Sequence, residues 1–316
     1  MTRRGIVFGA GGVLGFTWSV AALHAWEQET GLDAREADVR VGTSAGSILA
    51  AMLGLGISTD TILRHQLGTS LADDRNVDWN YDIDSGTTRP PLPRLGLGSP
   101  GLLLSVLQHP GRVPPLAAMS GMLPRGQASL IPLERMLDRL SDGVEDWPER
   151  DTWIVAMDYV TGNREVFGRP GSSLARLSQA VQASCSIPGW YHPVRIGRHS
   201  YVDGGALSSA SVDLLAGAAL EEVVVIAPMV SRRYDRPRSP IAKLERRWRR
   251  LTSKRVLREI AQVEATDTPV RLLCPGPADL TAMGANLMDH RRRRTVLDVA
   301  LHSAGEQLSA TATGSG

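Results

Sequence analysis

The sequence predicts an α/β protein, a three-layer α/β/α arrangement on a mostly parallel central sheet. Three observations lead there. Short apolar runs end in glycine-containing turns, an apolar helical pattern follows each of the first two turns, and later apolar runs lack the alternation of a half-exposed strand. The chain has 316 residues, 42% of them hydrophobic and 22% charged, enough length and apolar side chain for a large core.

In chain order, residues 5–8 and 39–41 are the first two strands, followed by a helix carrying Trp18 and Trp26 and by a helix over 47–56. Residues 152–160 and 164–167 read as two strands joined by a Thr-Gly-Asn turn, and 174–183 reads as a helix. The runs 223–227 and 270–273 suit buried parallel strands. Between 71 and 125 the pattern dissolves into Pro and Gly around Trp79 and an apolar segment at 102–107. The motifs flanking that stretch belong together, which favours a lid-like insertion over a linker. One domain is expected over 1–308: a core at about 4–229, a basic helical extension at 230–308, and beyond it a disordered tail at 309–316.

The charge, 35 basic against 33 acidic residues, nets +2, too balanced for the whole chain to read as nucleic-acid-binding. Cys185 and Cys274 lack the spacing of a zinc or redox motif, which argues against a structural zinc site and suits a reducing, cytoplasmic compartment. Two uncharged stretches imitate export or membrane segments. Residues 5–26 follow Arg3 and Arg4, but glycines at 5, 9, 11, 12 and 15 interrupt any apolar helix of the kind a signal peptide needs. Residues 41–59 approach the length of a spanning helix, about 20 residues, yet contain the polar run Gly-Thr-Ser-Ala-Gly-Ser, so a buried helix behind a turn is expected.

The strongest chemical signal is Gly42-Thr43-Ser44-Ala45-Gly46, between an apolar strand and an apolar helix. This is the context of a nucleophile elbow: flanking glycines permit a sharp turn that exposes the Ser44 hydroxyl at a helix N-terminus. A second signal runs from Gly9 through Gly11 and Gly12 to Gly15. Counting from Gly9 puts Leu14 where a dinucleotide-binding loop needs glycine, and no Gly-Lys-Ser or Gly-Lys-Thr follows for a phosphate loop. What remains is an oxyanion hole, with N–H groups around Gly11 and Gly12 facing a developing anion. A third signal, Tyr201-Val202-Asp203-Gly204-Gly205, reads as a strand end and glycine turn that can project the Asp203 carboxylate as a base.

These three motifs, together with Ala183-Ser184-Cys185-Ser186-Ile187-Pro188-Gly189, resemble in order and combination the motifs of patatin-like phospholipases. The resemblance runs from Arg4 to about Met229, and residues 283–289 with the arginines after them are similar to C-terminal segments of bacterial members. It implies the patatin-like α/β/α fold and a Ser44–Asp203 dyad with an oxyanion loop containing Gly11 and Gly12. It also implies hydrolysis of lipid acyl esters through an acyl-enzyme, with no metal or cofactor. Leu14 departs from the lysine or arginine that many relatives carry before the last glycine of the loop. Two alternatives stay open: a Ser-Asp-His triad ending at His290 or His302, with His192 and His199 near Asp203 in sequence, and a catalytically silent lipid-binding protein.

From 231 to 258 twelve basic residues face two acidic ones, a local charge of +10, and Arg291 to Arg294 add +4, so the remaining residues sum to −12. Within the basic segment Ile241, Leu244, Trp248 and Leu251 recur at helical spacing. Such a helix either contacts an anionic membrane, placing the protein peripherally at its inner face, or packs its apolar stripe on the core and leaves its arginines solvated.

Overall fold

Strand β1 (Arg4–Phe8) shows how the chain builds a core on each side of one sheet. Ile6 and Phe8 point into one apolar cluster and Val7, between them, points into the other, as the two-residue period of a strand requires. The computed structural model describes residues 3–75, 77–81, 84, 96–109, 111, 113–141 and 147–313. In it β1 lies beside β2 (Val39–Thr43) and β7 (Glu222–Ile226), with β3 (Asp151–Asp158) beyond β2 and β8 (Val270–Leu273) beyond β7, all parallel. Antiparallel strands β4 (Arg164–Phe167) and β6 (His199–Asp203) pair with β3, and β5 (Val194–Ile196) pairs with β6, which completes an eight-stranded sheet. The mostly parallel α/β architecture read from the sequence is the observed one. Of the β5–β6 hairpin the sequence showed only the end of β6 at 201–203, because β5 is three residues long and partly exposed and β6 begins on an exposed residue.

One face is covered by α1 (Gly12–Thr30), α2 (Ala45–Gly54), α3 (Thr59–Leu67), α6 (Ile131–Leu140), α7 (Leu177–Ser184), α9 (Pro277–Met283) and α10 (Arg293–Thr313). On the other lie a 3₁₀ turn (Val212–Leu215) and the long α8 (Pro240–Glu264). The backbone of α10 is helical as far as Thr313, and 314–316 lie outside the described residues. Val296, Leu297, Ala300, Ala304 and Leu308 are buried at helical spacing, which fastens this helix to the core.

The 71–125 stretch is structured in part. Ser99 caps α4 (Pro100–Gln108) by accepting the Leu102 N–H, with Pro100 opening the helix, and α5 (Pro115–Ser120) follows. Leu102, Val113 and Ala117 form a third cluster with Met157, Tyr159 and Val202 of the sheet end. Of this insertion, residues 76, 82–83, 85–95, 110 and 112 lie outside the described ones.

The connection from β1 to β2 runs over one face through α1, and that from β7 to β8 over the other through α8. The strand order therefore reverses direction at β1, and a crevice opens beyond the C-terminal ends of β1, β2 and β7, where open α/β sheets hold ligands.

Candidate active site

Ser44 occupies a sharp turn between β2 and α2, with φ 54° and ψ −124°, a backbone region that non-glycine residues rarely adopt. Neighbouring groups hold it there. The Ser44 N–H donates to Ser184 Oγ (2.8 Å), and the Ser184 hydroxyl donates to the Val155 carbonyl on β3 (2.6 Å). Ser47 returns two bonds to the Ser44 carbonyl, from its hydroxyl (2.6 Å) and its N–H (2.8 Å). Replacing Ser184 with Ala leaves the Ser44 N–H buried and unpaired. We expect a loss of about 1–3 kcal/mol in urea unfolding and a fall in kcat with KM little changed.

The flanking glycines are needed for close approach. A Cβ on Gly46 would sit 2.1 Å from the Phe8 carbonyl oxygen at the end of β1, and one on Gly42 would sit 2.5 Å from Ser47 Cα. Gly46→Ala is expected to cost about 3 kcal/mol or more, read as a fall in melting temperature, because the atoms its Cβ would meet, the carbonyls of Phe8 and Gly9, are backbone.

Asp203 ends β6, opposite Ala156 on β3, and its N–H donates to the Ser186 carbonyl (2.9 Å). Its Oδ1 accepts the Gly205 N–H (2.7 Å), which fixes the carboxyl plane. Burial pushes the pKa up to about 6, while hydrogen bonds from the Ser44 hydroxyl and the Gly205 N–H pull it partly back. Gly204 packs its backbone against the Val155 carbonyl, the acceptor of Ser184. The neighbouring Cys185 thiol is held neutral, chiefly by burial and secondarily by the Asp203 charge.

In the glycine loop the Gly9, Ala10, Leu14 and Gly15 N–H groups are engaged by Ile226, Ser209, Leu287 and Gly11 carbonyls respectively, at 2.6–2.9 Å. Gly12, at φ 59°, opens α1 where the sequence suggested only a loop. The N–H groups of Gly11 and Gly12 have no protein acceptor among the described residues, as the first turn of a helix leaves them.

Ser44, Asp203, Gly11, Gly12 and Gly205 line one cavity of about 360 Å³. Its other walls are mostly apolar, with Met119, Leu123, Ile187, Met229, Trp248 and Leu287 among them, and Asp203 is the only ionisable lining residue described. The insertion thus supplies one wall through Met119 and Leu123. Leu14 is buried in the core, so no cation stands at that point of the loop. None of the seven histidines lines the cavity. His24, His199 and His302 pair with Asp60, Asp158 and Glu306, and His65 contacts Tyr81. Among the described residues no cluster of three His, Cys, Asp or Glu side chains is placed to hold a metal ion.

Sequence reasoning missed the braces behind the glycine loop. Pro228 packs on Gly11 and Gly15, and its carbonyl accepts Arg249 Nη1 (2.6 Å) from α8. Glu259, also on α8, accepts the Ser208 hydroxyl (2.9 Å) and the Val212 N–H (3.2 Å), pinning the loop whose Ser209 carbonyl holds Ala10. The alternative in which α8 packs its apolar stripe on the core and leaves its arginines solvated is therefore corrected. Arg246 and Arg249 are buried, paired with Asp235 and Glu245, and capped by the carbonyls of Leu280, Gly284 and Pro228. The apolar stripe of the same helix faces outward: Ile241, Leu244, Trp248 and Leu251 are all exposed.

Two solved structures are similar over nearly all of this chain. VipD from Legionella pneumophila shares 14% identity at a TM-score of 0.47, with 98% of this chain and 67% of that one covered. The type III effector ExoU shares 15% identity at a TM-score of 0.33, with 98% and 53% covered, so the chain spans about half of its length. No curated protein matches the sequence. The family model described as patatin-like phospholipase matches residues 6–216, a span that includes Ser44, Asp203 and the glycine loop. With that match covering two thirds of its length, the chain belongs to the patatin-like phospholipase family.

Proposed function

We propose that the protein hydrolyses carboxyl esters of lipids through a Ser44–Asp203 dyad. The observation that carries this is the meeting of a strained, buried serine, a carboxyl with a raised pKa and two unclaimed N–H groups on one apolar cavity. Asp203 takes the Ser44 proton as Oγ attacks the ester carbonyl, and the oxyanion forms against the Gly11 and Gly12 N–H groups. Collapse expels the alcohol or lysolipid, which leaves with the proton from Asp203. Water then gives a proton to Asp203 and attacks the acyl-enzyme, which releases the fatty acid and restores Ser44. A pKa near 6 makes Asp203 a better base than an exposed aspartate while leaving it ionised at neutral pH. The apolar walls suit an acyl chain better than a polar substrate.

Two experiments test the reading. Phospholipids incubated with the protein should yield free fatty acid and lysophospholipid by mass spectrometry, and release of a free head group instead would contradict it. Each histidine replaced singly by Ala should leave acylation intact. Loss of acylation in one such variant with its fold retained would reinstate a triad.

A further inference from the structure

The mouth of the cavity is apolar on two sides. On α8 the stripe of Ile241, Leu244, Trp248 and Leu251 stands 40–72% exposed, and Trp248 also lines the cavity. From α5 and the turn after it come Met119, Met122 and Leu123, all exposed, the first and last of them lining the same cavity. Single exposed apolar residues are ordinary, but two elements far apart in sequence that place such side chains at one opening form a patch that calls for a partner.

The stripe cannot roll inward. The buried guanidinium groups of Arg246 and Arg249 fasten the opposite side of α8 to Asp235 and to the carbonyls of Leu280, Gly284 and Pro228. Beside the stripe, about 80° round the helix, lie Arg247, Lys254 and Arg258, all exposed and in no ion pair among the described residues. The patch thus runs from a row of unpaired cations, across apolar side chains, into the cavity. A protein seated there would close the opening. A lipid surface would fill it, with phosphates for the cations and acyl chains for the stripe.

We propose that α8 and the α5 turn form an interfacial docking face that seats the cavity mouth on an anionic bilayer. Ile241, Leu244, Trp248 and Leu251 enter the headgroup boundary, and Arg247, Lys254 and Arg258 meet lipid phosphates. The substrate then reaches Ser44 from the bilayer without crossing water. The benefit to catalysis rests on the lipid-ester reading of the cavity, but docking itself needs neither Ser44 nor Asp203.

The test uses the full chain carrying Leu244→Cys and Ser44→Ala. Both native cysteines are buried, so an environment-sensitive fluorophore labels position 244 alone. Phosphatidylglycerol vesicles should shift its emission to the blue and shield it from an aqueous quencher. Added salt should reverse the shift, and phosphatidylcholine vesicles should bind more weakly. In otherwise wild-type protein, joint replacement Ile241→Ser, Leu244→Ser and Leu251→Ser should weaken vesicle binding roughly 100-fold or more. Hydrolysis of a short soluble ester should be unchanged, since none of the three lines the cavity, and that activity also confirms the fold. Arg247→Gln and Lys254→Gln should each weaken binding about fivefold.

Absent vesicle binding, or equal binding by the triple variant, overturns the proposal. So does a wild-type dimer that the triple variant dissolves into monomers without any vesicle binding, which would assign the face to a second copy of the chain. Vesicle binding without ester cleavage would keep the docking face and reject the hydrolase reading. Ester cleavage in solution without vesicle binding would do the reverse.

Discussion

Asp203→Asn is expected to lower kcat/KM by about 10²- to 10⁴-fold, because the proposed dyad loses its proton acceptor while the carboxyl's shape is kept. The wild type should show kcat/KM rising with pH through an apparent pKa of about 6 and then levelling, and the variant should lose that step. The same change should stabilise the fold, and the sign follows from burial. Asp203 binds its proton more tightly folded, with a pKa of about 6, than unfolded, near the ordinary value of 3.8. Below the lower value it is neutral in both states and costs nothing. As pH rises between the two values, the cost of burying the charge grows, and above about 6 it is present in full. Asn carries no such cost. Urea midpoints should therefore favour the variant by about 1–3 kcal/mol near pH 8 and by little near pH 4. A variant less stable than wild type at pH 8 would mean that Asp203 is paired structurally and not held in reserve as a base.

Ser44→Gly should abolish turnover, a fall of about 10⁴-fold or more, and yet raise the melting temperature. The backbone at φ 54° and ψ −124° suits glycine, so releasing the strain should give about 1 kcal/mol after the entropy of the more flexible unfolded glycine is subtracted. Ser44→Ala removes the same hydroxyl but keeps a Cβ in the strained turn, so it should be as inactive without the gain. Equal stability of the two variants would show that the elbow is not strained.

Much of this was legible in sequence because the motifs are local. A glycine that lets α2 approach the end of β1 within a few ångströms, as Gly46 does, is visible as a glycine at a fixed offset from Ser44. Strand–turn–helix alternation likewise gave β1 and β2, and apolar runs alone gave β7 and β8, because buried parallel strands are short apolar segments. The boundaries slipped where a helix starts on residues with weak helical signals: α1 begins at Gly12 and α2 at Ala45, both inside motifs read as turns.

The supports of the site were not legible, because they are long-range. Nothing local marks Ser184 as the acceptor of the Ser44 N–H, although it lies in a motif quoted for its resemblance. Arg249 and Glu259 sit in a segment whose composition says surface. Only the fold reveals that one braces Pro228 and the other the 208–212 loop behind the glycines. The orientation of α8 was ambiguous for a related reason. Periodicity locates an apolar stripe but does not say which side of a helix the body claims, and here buried, carbonyl-bound arginines hold the side away from the stripe.

The most direct test of the central claim is labelling by a fluorophosphonate, with the modified residue mapped by mass spectrometry across a pH series. Labelling at Ser44 alone is expected, with a rate that rises through an apparent pKa of about 6 in the wild type and is slow and flat in Asp203→Asn. No labelling at Ser44, under conditions that label a known serine hydrolase, would contradict the account. So would labelling whose pH dependence survives the loss of Asp203.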